Sequence, residues 1–119
     1  MANISLQALD LESLKNNEQI IKDTAAQIIK DFGMFGVEIQ FSGDTATAYD
    51  ELFNKLQPII NKLINEQGFK FKSLLYQIDV NSKKVFTSNV FHLDALTHEI
   101  LQREFKKVCT RWYFKHNPQ

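Results

Sequence analysis

The chain is short of the residues that most often announce a function. It has one cysteine among its 119 residues, Cys109, which excludes an internal disulfide framework and agrees with a reducing compartment. Four glycines and two prolines are present, and nowhere do they gather into a linker or a low-complexity tract. No apolar run approaches the ~20 residues that a membrane-crossing helix needs. The opening residues MANISLQALDLE lack both the basic and the apolar part of a secretory leader, so a cytoplasmic location and no membrane partner are expected. Net charge is missing too. Fourteen basic and fourteen acidic residues cancel, and nothing in that total demands nucleic acid or an anionic membrane surface.

What is present is the composition of a folded domain. Hydrophobic residues make up 44% and charged residues 24%, enough apolar surface to offset the entropy of ordering. The length fits one domain spanning residues 1–119. Charge is unevenly placed: residues 1–68 carry five lysines against ten acids, residues 69–119 nine basic residues against four acids. Such a split suits pairing of acidic and basic elements within the fold or between subunits. Lysine outnumbers arginine twelve to two, a bias that follows AT-rich codons rather than function.

Periodicity predicts the elements. Ile20, Ile21, Thr24, Ala25, Ile28, Ile29 and Phe32 recur at three- and four-residue intervals, the apolar stripe of a helix, with Asn16 or Asn17 as N-cap and Gly33 as terminator. Lys22, Asp23, Gln27, Lys30 and Asp31 fall on the other side. Residues 37–41, Val-Glu-Ile-Gln-Phe, alternate as a half-buried strand does. Residues 45–67 repeat as a long helix, with Pro58 inside it expected to kink it. Phe69, Phe71, Leu74, Tyr76, Ile78 and Val80 alternate with one slip near Lys72 and Ser73. That pattern predicts a bulged strand, paired through a turn at residues 81–84 with a second arm at 85–91. A last helix is expected over residues 93–108, passing into a short extended tail at 110–115 or, since Trp112 continues the apolar stripe, extending through it.

These elements predict an α+β two-layer sandwich: a mixed three- to four-stranded sheet with helices packed on one face, in the order α-β-α-β-β-α with a final short strand allowed. A ferredoxin-like arrangement is the alternative. The chain has the general character of small α+β proteins from bacterial genomes, and no motif in it points to a named family.

Candidate chemistry is sparse. His92, Asp94 and His98 are the densest set of metal-ligating side chains; Asp94 and His98 would share one helical face. Their spacing matches no standard metal motif, and a helix start with Asp94 near its N-terminus explains them without an ion. Cys109 has cations nearby in sequence but no assignable base, so packing at the end of the helical stripe is the expected role. Ser42, Gly43 and Asp44 precede a helix N-terminus, where Asp44 is expected to cap rather than leave room for an anion. No catalytic residue and no cofactor is assigned.

The strongest hint of a partner is the segment holding Arg103, Lys107, Arg111, Trp112, Tyr113 and Phe114. On a regular helix the three cations recur every four residues, and aromatics beside cations can hold phosphates and stack bases. The expected function is a non-catalytic domain that self-associates or binds a protein partner, with helix 93–108 and the following tail as its surface. Two alternatives stand beside it: a small-ligand or metal-dependent site at a subunit cleft, and nucleic-acid binding through this basic-aromatic segment.

Overall fold

Helix α1 (Glu18–Gly33) starts where Asn17 turns its side chain back: its Oδ1 accepts the backbone N–H of Ile20 at 3.1 Å, satisfying one of the helix's orphan donors. The computed structural model of the chain describes residues 14–81 and 92–116. The left-handed residue after α1 is Gly36, at φ +80°, not the expected Gly33. The amide of Val37 returns to the carbonyl of Phe32 at 3.0 Å, closing the helix end as C-terminal capping turns do.

Asp44 then accepts from the amide of Ala46 at 3.0 Å and from the hydroxyl of Thr47 at 3.1 Å. This side chain organises a short 3-10 turn at Thr45–Thr47 that leads into α2 (Ala48–Glu66). Helix α2 continues through Pro58 and ends one residue before α3 (Gly68–Ile78). That single link, Gln67, donates its amide to Leu63 at 2.8 Å while its carbonyl accepts from Phe71 at 2.9 Å. Helix α4 (Leu93–His116) packs mainly on α1 and α2, and α3 closes the bundle against α2. Lys107 bonds Asp31 and Arg111 bonds Gln27, so α1 and α4 run antiparallel.

The α+β sandwich and its ferredoxin-like alternative are therefore wrong. Among the described residues all regular structure is helical and no strand is present. The core is a helix-bundle core, with Phe32, Leu56, Ile60, Phe71, Leu74, Leu75, Ile78 and Ile100 at its centre. Local misreadings produced the error. Residues 37–41 do alternate, with Ile39 buried and Glu38 and Gln40 exposed, but they form an extended strip laid on the bundle. It has no ladder partner among the described residues and is held by Lys55 Nζ donating to the Gln40 carbonyl at 2.6 Å. Residues 69–80 were read with period two and a slip. The slip was the signal: Phe71, Leu74, Leu75 and Ile78 follow the i, i+3, i+4, i+7 rule of a helical face, and all four are buried. The second hairpin arm, 85–91, lies outside the described residues. The tail 110–115 is not extended but completes α4.

The helical reading of α3 makes a sharp prediction. A strand would put Phe69 and Phe71 on one face, whereas here Phe71 is fully buried and Phe69 is exposed. Phe71→Ala should cost about 3–5 kcal/mol in urea unfolding, and Phe69→Ala should stay within about 0.5 kcal/mol. Equal losses at the two positions would contradict the helix.

Candidate functional site

The cation row of α4 is regular, and the fold draws it inward. Arg103 Nη2 donates to Asp79 Oδ2 at 2.8 Å, Lys107 Nζ to Asp31 Oδ2 at 3.2 Å, and Arg111 Nη1 to Gln27 Oε1 at 2.5 Å. Three successive turns of α4 thus hold the end of α3 and two turns of α1. Asp79 reaches its partner from a left-handed C-cap at φ 74°. The expected acid–base pairing between the two halves of the chain occurs at Lys107 and Asp31.

Behind this row lies a buried polar cluster. Asp31 and Glu104 are both fully buried. Gln27 Nε2 donates to Asp31 Oδ1 at 2.8 Å, while Lys107 Nζ stands 3.9 Å from Glu104 Oε1. Neither oxygen of Glu104 meets a protein donor. Burial, then hydrogen bonding with the neighbouring Asp31 carboxyl and that group's negative charge, pushes Glu104 up to about 8, against the weaker pull of Lys107 and Arg111. That shift favours the protonated form of Glu104 at neutral pH, beside the Asp31 carboxyl. A protonated Glu104 avoids placing two negative charges side by side in the core, with the half-buried Lys107 ammonium at their edge.

The periodicity of the first helix places Gln27 and Asp31 on its polar side, and it does not single out Glu104. The missed signal was spacing. Ile20, Thr24, Gln27 and Asp31 share the 4-3-4 step, as do Thr97, Leu101, Glu104 and Val108, and all eight are buried. The two threonines are satisfied within their own helices: Thr24 Oγ1 donates to the Ile20 carbonyl at 2.7 Å and Thr97 Oγ1 to the Leu93 carbonyl at 2.8 Å.

The other candidates are placed as follows. His92 is exposed, and its carbonyl accepts the amide of Leu96 at 3.0 Å as α4 begins. Asp94 accepts from Gln57 Nε2, and His98 Nδ1 meets the hydroxyl of Tyr49, so both face α2. Burial, and secondarily the charge of Asp50, raises the pKa of that tyrosine. Among the described residues, no three His, Cys, Asp or Glu side chains gather to hold a metal ion. Cys109 is buried beside Ile20 and Val108, and burial pushes its thiol up to about 11, the opposite of nucleophile activation. Trp112 packs against that small cluster. It stacks on His116 with ring centroids 4.4 Å apart. Tyr113 meets Phe114 edge-on at 5.4 Å, and Phe114 is half exposed.

No family model, curated protein or solved structure matches the chain. No helix among the described residues is long and apolar enough to cross a membrane.

A second set of residues also escaped the sequence reading. Phe69 and Tyr76 stand on the solvent face of α3, each 86% exposed. The strand assignment had hidden them as members of an alternating buried pattern.

The proton held at Glu104 has a measurable consequence. Its pKa in the fold is about 8, against 4.5 for the free side chain. Between those values the folded chain keeps a proton that the unfolded chain has released, so stability falls as pH rises through that window. The slope is about 1.4 kcal/mol per pH unit and levels off above the upper value. Glu104→Gln keeps a donor for Asp31 and cannot ionise. It should remove that slope and leave the variant more stable than the wild type in alkaline buffer, as read from urea unfolding across pH.

Proposed function

We propose that the domain works by self-association rather than by catalysis, and that the solvent face of α3 supplies the contact. The observation that carries this reading is the exposure of Phe69 and Tyr76, 86% each. Seven residues apart on a helix, they are separated by two turns, about 10.5 Å along the axis. They stand on one ridge, opposite the buried Phe71, Leu74, Leu75 and Ile78. Isolated exposed hydrophobics are common, but two large rings repeated on the ridge of one helix are not explained by the core.

The ridge is self-complementary. Two copies crossing antiparallel about a two-fold axis near Ser73 set each Phe69 against the partner's Tyr76. Ser73, midway between them, is small enough for the helices to approach closely. Each ring buries ~150–250 Å² when fully covered, so four rings supply on the order of 600–1,000 Å². With flanking side chains this reaches the lower range of specific interfaces, which points to a weak dimer that depends on concentration. Helix α4 has less to offer as a contact than its sequence promised, because Arg103, Lys107 and Arg111 are held by α1 and α3.

Light scattering over a wide range of protein concentration tests the reading. The wild-type mass should rise toward that of a dimer, and the double variant Phe69→Ser, Tyr76→Ser should remain a monomer with an unchanged helical spectrum. Phe114→Ser, on α4, should associate like the wild type. A wild-type chain that stays monomeric throughout would sink the proposal, and association undiminished in the double variant would remove it from α3.

A further inference from the structure

A groove of about 760 Å³ runs between α1 and the last turns of α4, within the size range of small-molecule sites. Three of the side chains lining it are permanent cations, Lys30, Arg111 and Lys115, and one is an acid, Asp23. The acid is engaged already, its Oδ1 accepting from Gln19 Nε2 at 2.9 Å. Neither Lys30 nor Lys115 has an ion-pair partner among the described residues. Arg111 is tied to the neutral amide oxygen of Gln27, which spends one guanidinium N–H and leaves four. Its position is nonetheless fixed, because Gln27 is anchored by the buried Asp31, which Lys107 holds in turn. Trp112 and His116, stacked on one another, line the same groove.

From these elements we propose that the groove binds a nucleoside phosphate, with the phosphate among Lys30, Arg111 and Lys115 and the base against the Trp112 and His116 rings. Three cations less one carboxylate leave a local charge of two, which a phosphate monoester dianion cancels. Guanidinium offers such a group paired donors, ammonium a point charge, and flat aromatic side chains beside cations provide the stacking half of the recognition. The chemistry has two sources, a free nucleotide or the terminally phosphorylated end of a single strand. The rest of the α4 row, Arg103 and Lys107, takes no part, since both are bonded within the fold. This site is independent of the α3 ridge and uses none of its residues.

Trp112 is the single tryptophan of the chain, so its fluorescence reports on this groove alone. Adenosine monophosphate, adenosine, inorganic phosphate and a short 5′-phosphorylated single-stranded oligonucleotide should each be titrated into the protein. Saturable quenching by the monophosphate, with much weaker effects of adenosine and of phosphate alone, is the expected result. Oligonucleotide binding tighter than that of the monophosphate would place the ligand in a strand; the reverse order would make it a free nucleotide. Lys30→Gln combined with Lys115→Gln changes two exposed side chains that have no ion-pair partner among the described residues and should leave unfolding untouched. It should weaken binding about tenfold or more, as expected for the loss of charge-assisted bonds. No response to any of the four probes would overturn the proposal, as would equal affinity in the double variant and the wild type.

Discussion

The seam between α1 and α4 is the constraint on which the rest depends. Two apolar stripes meet there, and within them sit Asp31, Glu104 and Lys107, side chains that water would otherwise claim. Buried carboxyls near one another tolerate a single negative charge, and that charge must face a cation. These conditions admit few alignments of the two helices. A shift of one turn along α4 would carry Lys107 away from Asp31 and Arg111 away from Gln27 together. Apolar stripes alone tolerate such slips more readily, so the polar cluster gives the pairing its register at some cost in stability. The outer groove inherits this order, because the side chain that presents Arg111 is itself anchored inside.

Much of the helical content could be read from the sequence, and the reasons for failure elsewhere are local. The first, second and last helices announced themselves through long stripes, such as Leu52, Leu56, Ile60 and Leu63. Helix α3 is eleven residues long, too short for its period to dominate, and its flanking aromatics mimic a strand. Residues 37–41 are extended and alternate in burial, yet whether an extended segment pairs depends on what lies beside it, which a pattern along one chain does not encode. Among the described residues, the error in fold class rests on these two segments together with the tail at 110–115, which continues α4.

The candidate site was legible in part. The row Arg103, Lys107, Arg111 was recognised, but its direction was not, because a cation on a helix face looks the same from sequence whether it meets water or a buried carboxylate. Glu104 and Asp31 could have been found by phase, had polar residues at core positions been treated as informative. Lys30 could not have been joined to Trp112 and Lys115 without knowing that α1 and α4 run antiparallel.

The extended strip at residues 37–41 has a consequence for behaviour in a crowded solution. An unpaired, alternating segment is the template onto which a foreign chain adds as a new strand, and from there onto which aggregates grow. Here the apolar half of the alternation is turned down onto the bundle, with Ile39 buried. The ammonium of Lys55 occupies the carbonyl of Gln40. The Glu51 carboxylate takes the amide and hydroxyl of Ser42 at 2.8 and 2.6 Å, and bonding to Lys55 and then Ser42 holds it down at about 2, ionised at any physiological pH. Two charged side chains from one turn of α2 thus guard the end of the strip, and a sequence that reads as a sheet edge is kept from serving as one.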